Sequence, residues 1–192
     1  MGSEIKRRLV HASGTGYPAL YLLDLASYEQ LQLLLVVSSV AALALEGVRL
    51  LVGLDWRIFD ELTREYEQDN IAGYALYMFG MTAAALLFEP RVAIPAMLML
   101  TIADPISGYV GSGELGVKAA HTLALTFGVC LLIASLSGLP LVTAALGALA
   151  ATLADGAKPV IAGYVIDDNL TIPVGAAVVM YFGLQYAPEV TF

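Results

Sequence analysis

Apolar stretches of helix length fill most of this chain, with short polar joints between them. They fall at about 14–27, 31–52, 71–88, 92–109, 119–137, 139–155 and 171–187. A helix needs about 20 apolar residues to cross a bilayer's hydrocarbon core. Only 14% of the residues are charged, against about 25% in a soluble domain. The expected fold class is therefore all-α: a polytopic membrane helical bundle of about seven transmembrane helices, forming one domain over 1–192. Six spans remain if the first, broken by Gly14, Gly16 and Pro18, only dips into the membrane. The stretch LPLVTAALGALAATLADG, rich in Ala and Gly, suits close helix packing.

Lys and Arg set the expected orientation. With a cytoplasmic N-terminus, Lys6, Arg7, Arg8, Arg49, Arg57, Arg64, Lys118 and Lys158 share the cytoplasmic side, and only Arg91 falls outside. Thirteen of the seventeen acids join them, with Asp24, Glu29, Glu89 and Glu189 opposite. The positive-inside rule accounts for the cations alone. A polar site on that face accounts for both signs, as does an acidic loop at 55–69. The formal net charge of −8 suits a salt-rich, halophilic cytoplasm in which salt screens self-repulsion. The segment DWRIFDELTREYEQDN, 55–70, spaces Trp56, Ile58, Phe59 and Leu62 as an interfacial amphipathic helix does. The N-terminal residues lack the uninterrupted apolar core of a secretory signal peptide. A single cysteine, Cys130, rules out an internal disulfide and a cysteine metal cluster.

Four groups of residues on the charged side have chemistry to offer. In KRRLVHASGTG, 6–16, Arg7, Arg8 and His11 fit either a topology anchor or a forked phosphate clamp. In EGVRLL, Glu46 and Arg49 stand at i and i+3 and can pair. Intramembrane charges usually face a polar interior. In TIADPISGYVGSGELGVK, Pro105 ends or kinks a helix after Asp104. Gly108, Gly111, Gly113 and Gly116 then allow a tight backbone whose N–H groups can face an anion, and Lys118 follows. The spacing is not that of a Walker A loop. In VIDDNLTIP, Asp167, Asp168 and Asn169 offer oxygen ligands for Mg²⁺ or a helix cap. Asp155 and Lys158 lie upstream on the same side, as cluster members or loop solvators.

The ordered set R-R-L-V-H, E-x-x-R, R-E-x-E, D-P-x-x-G-x-x-G and D-N-L-x-I-P resembles the dolichol kinase and phytol kinase family of CTP-dependent polyprenol kinases. The resemblance spans nearly the whole chain. It implies an integral membrane enzyme that moves the γ-phosphate of CTP, with Mg²⁺, onto the hydroxyl of a long isoprenoid alcohol at the cytoplasmic surface. By position, Arg8 and His11 match the family's N-terminal motif, and Glu46 and Arg49 its second-helix pair. Asp104, Gly108 and Gly111 match the nucleotide loop; Asp168 and Asn169 match the last acidic motif. Within these motifs Asp104 and Asp168 are expected to hold Mg²⁺. Lys118 and Arg49, with Arg7 and Gly113 nearby, are expected to meet phosphate charge, and Asp167 or Asp168 to activate the alcohol. Glu46, Asp155 and Lys158 are assigned supporting roles. The chain departs from the family's Lys-Thr-x-Glu-Gly stretch: VKAAHTLAL keeps Lys118 but carries His121 and Thr122 at the last two places.

The alternative is a cytidylyltransferase making a CDP-activated lipid, although its late Asp-Arg-x-Asp-Ser signature is absent. A transporter or scaffold would place polar groups at mid-membrane and often shows inverted repeats. The expected partners are CTP, a lipid alcohol and membrane lipids, with no nucleic acid; a homo-oligomer is left open.

Overall fold

The computed structural model describes residues 2–53, 63, 67–68, 70–111, 116–157, 159–161 and 164–187, with backbone alone for 2–7, 160–161 and 164. The described residues are all-α apart from one small hairpin and an isolated bridge between Val117 and Ala157. Its helices are α1 Gly2–Ser13, α2 Gly16–Leu22, α3 Tyr28–Gly47, α4 Gly73–Leu87, α5 Pro90–Leu98, α6 Asp104–Val110, α7 Ala120–Leu136, α8 Leu141–Gly156 and α9 Asp168–Tyr186. A π turn, Val48–Val52, extends α3, and a second, Met99–Ala103, joins α5 to α6. Strands β1 Val160–Ile161 and β2 Tyr164–Val165 pair antiparallel between α8 and α9.

Two of these helical runs are long and apolar enough to cross a membrane, Tyr28–Val52 and Pro90–Val110. The helices Gly73–Leu87, Ala120–Leu136 and Leu141–Gly156 are apolar but shorter. At 1.5 Å per residue even the 17-residue α7 rises only about 25 Å, below a typical hydrocarbon thickness of about 30 Å. The seven-span count is thus not reached by length and composition. The first expected span, 14–27, is the seven-residue α2. The expected amphipathic helix at 55–70 lies mostly outside the described residues.

The core forms where α9 packs on α8, α4 and α5. Close approach depends on missing side chains. A Cβ at Gly80 of α4 would stand 2.5 Å from the Asn169 carbonyl, and one at Gly147 of α8 would stand 2.3 Å from Met180. Gly80 thereby lets α4 touch the first turn of α9, which carries Asp168 and Asn169. Helix α3 faces outward over most of its length, with Leu33, Val37, Val40 and Leu43 exposed. An apolar outer face of this kind is what lipid contact requires.

Candidate functional site

Asp104 follows the π turn directly, and the backbone explains its setting. The Asp104 N–H donates to Met99, five residues back. In that register the next carbonyl, Leu100, falls to residue 105, and Pro105 has no N–H to give. The His11 imidazole takes its place, with Nε2 3.0 Å from the Leu100 oxygen. A carbonyl only accepts, so Nε2 carries the proton and Nδ1 is the basic nitrogen of the neutral ring. The same Nε2 lies 3.4 Å from Asp104 Oδ2. Tyr77 holds His11 further, through its hydroxyl to the His11 carbonyl at 2.8 Å and an edge-on ring contact. Pro105 does not end the helix, because the π turn before it absorbs the misfit. Gly108 accordingly lies within α6 rather than in a loop, and the Arg8 guanidinium rests against it. Gly111 caps α6, with its N–H on the Ser107 carbonyl. Gly113, Lys158 and the Arg7 side chain lie outside the described residues.

Lys118 is fixed by its backbone, whose N–H donates to the Gly156 carbonyl at 3.0 Å. Its ammonium then reaches Asp155 Oδ1 at 2.5 Å and Ser107 Oγ at 2.9 Å. Ser107 donates in turn to Asp155 Oδ2 at 2.5 Å. Asp155 is 1% exposed. Its carboxylate, with those of Asp104 and Asp168, offers oxygens lying within 4.8 Å of one another. Three carboxylates so close repel strongly when water is scarce. Hard divalent cations such as Mg²⁺ take oxygen ligands of this type and usually use one or two carboxylates plus phosphates. The donor set therefore fits Mg²⁺.

Asp167 is the N-cap of α9, accepting from Asn169 N at 3.0 Å and Asn169 Nδ2 at 2.6 Å. Glu46 and Arg49 pair in a fork, Nη2 to Oε2 at 2.7 Å and Nε to Oε1 at 3.0 Å. Arg49 also donates to the carbonyls of Glu67, Gln68 and Asn70, so it clamps the segment leading into α4. Glu46 joins the clamp by accepting from Ala72 N. Arg49→Ala should lower stability by about 3 kcal/mol, since the buried Glu46 loses its partner. Thermal unfolding in detergent measures this. Arg49 is spent on Glu46 and the carbonyls of residues 67, 68 and 70, so the intrinsic affinity for Mg²⁺ should change much less than the melting temperature.

A cavity of about 420 Å³ opens between α1, α2, α3 and α4 and the first turn of α9. Val10, Ala42, Leu45 and Met78 make it apolar; His11, Glu67 and Asn169 supply its polar end. His11 thus borders both the cavity and Asp104.

The structure brings Asp104, Asp155, Asp168, Lys118 and His11 to one end of the bundle. It sets Glu46 and Arg49 apart as a clamp, Asp167 as a cap and Asn169 in the cavity. Sequence reasoning gave Asp155 only a supporting place, gave Glu67 no role beyond ending the R-E-x-E motif, and overlooked Ser107 and Tyr77. A signal for Asp155 existed: Thr101-Ile102-Ala103-Asp104 and Thr152-Leu153-Ala154-Asp155 repeat one pattern at the ends of two apolar helices. His121, at the departure from the family's stretch, is exposed, and the adjacent Thr122 is buried. No family model, curated protein or solved structure matches this chain.

Proposed function

We propose that this chain is a membrane-embedded, CTP-dependent lipid kinase that phosphorylates the hydroxyl of a long-chain isoprenoid alcohol. The observation that carries the reading is the meeting of the Asp104, Asp155 and Asp168 carboxylates within 4.8 Å of one another, with His11 bordering both Asp104 and a mostly apolar cavity. A phosphate donor from water and an acceptor from lipid need that juxtaposition. The residue pattern shared with polyprenol kinases supports the nucleotide and the acceptor class. The bundle lies in the cell membrane with this end at the cytoplasmic face, where eight of nine basic residues fall. Its shorter helices span by local thinning of the bilayer.

Asp104 and Asp168, with Asp155 beside them, would hold Mg²⁺, which would supply neutralisation of phosphate charge. Lys118 and Arg8 add positive charge for the γ-phosphate. His11 Nδ1 takes the proton of the acceptor hydroxyl as its oxygen attacks the γ-phosphorus. The bond from that phosphorus to the β–γ bridging oxygen breaks, and CDP leaves with the electron pair. Asp104 orients the imidazole through its Nε2 side.

Purified protein is incubated with Mg²⁺, CTP or ATP, and isoprenoid alcohols, and both products are identified. CDP with a lipid monophosphate is expected. Pyrophosphate with a CDP-lipid would instead establish the cytidylyltransferase, and no product with either nucleotide would end the kinase reading.

A further inference from the structure

Both oxygens of Asp155 are already engaged by the chain itself. Oδ1 accepts from Lys118 Nζ at 2.5 Å. Oδ2 accepts from Ser107 Oγ at 2.5 Å and from Thr126 Oγ1 at 3.4 Å. The same carboxylate meets those of Asp104 and Asp168, with oxygens within 4.8 Å of one another. The Lys118 ammonium, a compact point charge, therefore acts as a cation at the acid trio.

The two partners differ in freedom. The Lys118 N–H donates to the Gly156 carbonyl at 3.0 Å, and Val117 bridges Ala157. These contacts tie the lysine backbone to the end of α8 that carries Asp155. Gly156 is itself packed close on α7, since a Cβ there would stand 2.5 Å from Leu123 Cδ2. Asp155 is thus fixed by its helix, by Ser107 and by Thr126, and its side chain is 1% exposed. The Lys118 side chain is 16% exposed and turns on a flexible four-carbon stem. Of the pair, only the ammonium can leave.

A divalent cation ligated by these carboxylates would stand close to Nζ. Two positive charges so near each other repel strongly where water is scarce. Asp155 loses little when the ammonium turns away, because Ser107 stays on Oδ2 and the ion replaces the charge at Oδ1. The ammonium remains tethered beside the trio through its backbone, where it can donate to an anion that the cation brings.

We infer that Lys118 and a divalent cation compete for Asp155: the ammonium holds the carboxylate until an ion such as Mg²⁺ displaces it, and the displaced ammonium is the one that meets phosphate. Lys118 thereby weakens metal binding while serving the reaction, and it is offered to phosphate only once the metal is in place. The inference deepens the kinase reading and rests on it for the use made of the ammonium, though not for the competition.

The test uses the full chain in detergent, with Mn²⁺ as the probe and neither nucleotide nor alcohol present. Free Mn²⁺ is counted by electron paramagnetic resonance. Lys118→Met keeps an unbranched side chain without its charge and should bind Mn²⁺ at least about tenfold more tightly than the unaltered protein, since affinity follows the net charge of the ligand set. Lys118→Arg keeps the charge and should bind no more tightly than the unaltered protein. A second measurement needs no variant, so a misfolded mutant does not spoil it. Acylation of Lys118 by a water-soluble amine reagent is followed by mass spectrometry, with Lys6 as the internal reference. Saturating Mn²⁺ should speed labelling of Lys118 severalfold and leave Lys6 unchanged. Affinity of Lys118→Met equal to or weaker than that of the unaltered protein, or labelling of Lys118 unmoved by saturating Mn²⁺, overturns the inference. Mn²⁺ bound by neither protein ends both this inference and the assignment of the trio to Mg²⁺. Competition without any phosphoryl transfer sinks the kinase reading and leaves this one standing; transfer by the unaltered protein without competition does the reverse.

Discussion

Asp155→Asn is expected to slow CTP-dependent phosphorylation by at least about 10²-fold, the scale of losing one preorganised electrostatic contact in a transition state. The charge is what matters at this position. Asp155 is 1% exposed and takes the Lys118 ammonium at 2.5 Å on one oxygen and the Ser107 hydroxyl at 2.5 Å on the other. An asparagine has the same outline but only one accepting atom. Its NH₂ group would face either the ammonium or the Ser107 hydroxyl, donor against donor. The hydroxyl can turn away, but the ammonium loses the charge that holds it. One of the three carboxylates that meet within 4.8 Å is lost at the same time. Breaking a buried pair costs about 3–5 kcal/mol. The Lys118 side chain is 16% exposed and can turn outward, so the stability loss belongs at or below the low end of that range. Lys118→Met should slow the reaction as well, and the double variant should be less impaired than the two losses multiplied, because both act in one network. Steady-state rates with purified protein and thermal unfolding by circular dichroism separate the two effects. A melting shift with an unchanged rate would make Asp155 a scaffold residue.

The elements that could be read from sequence are those governed by local rules. Alternating apolar and polar stretches mark the helices, and Asp167 caps α9 as an aspartate before a helix should. Charge sorting along the chain placed Asp104, Lys118 and Asp168 at one end of the bundle, and their carboxylates and ammonium do gather with Asp155. Three features escaped because partners distant in the chain decide them. Pro105 reads locally as a helix breaker, yet a π turn before it and the imidazole of His11, 89 positions before Leu100, satisfy the backbone it disrupts. Arg49 reads as a phosphate ligand, yet its other donors meet carbonyls at 67, 68 and 70. The cavity draws its walls from α1 through α4 and from α9, so no single segment announces it. The difference between seven expected spans and two helices of spanning length has another reason. Apolar composition says which residues avoid water, whereas caps and turns such as Gly138, at φ 76°, decide where a helix stops.

Exchanging His11 separates its chemical role from its structural one. His11→Gln offers an N–H that can reach the Leu100 carbonyl and provides no basic nitrogen. His11→Ala provides neither. If Nδ1 is the base for the acceptor hydroxyl, both variants lose about 10²–10⁴-fold in rate, the usual contribution of a positioned general base. They part company in stability. The alanine variant leaves the Leu100 oxygen without a donor, since Pro105 cannot supply one, and should be less stable by about 1–3 kcal/mol. The glutamine variant should melt nearer the unaltered protein. It forgoes the ring contact with Tyr77, whose centroid lies 4.5 Å from that of His11. The comparison works because the backbone carbonyl fixes which nitrogen is protonated. A glutamine variant that phosphorylates the alcohol at the unaltered rate would show that His11 does no more than mend the backbone at Leu100. The proton would then have to leave through a carboxylate of the acid trio, where Asp104, 3.4 Å from the imidazole, is the nearest.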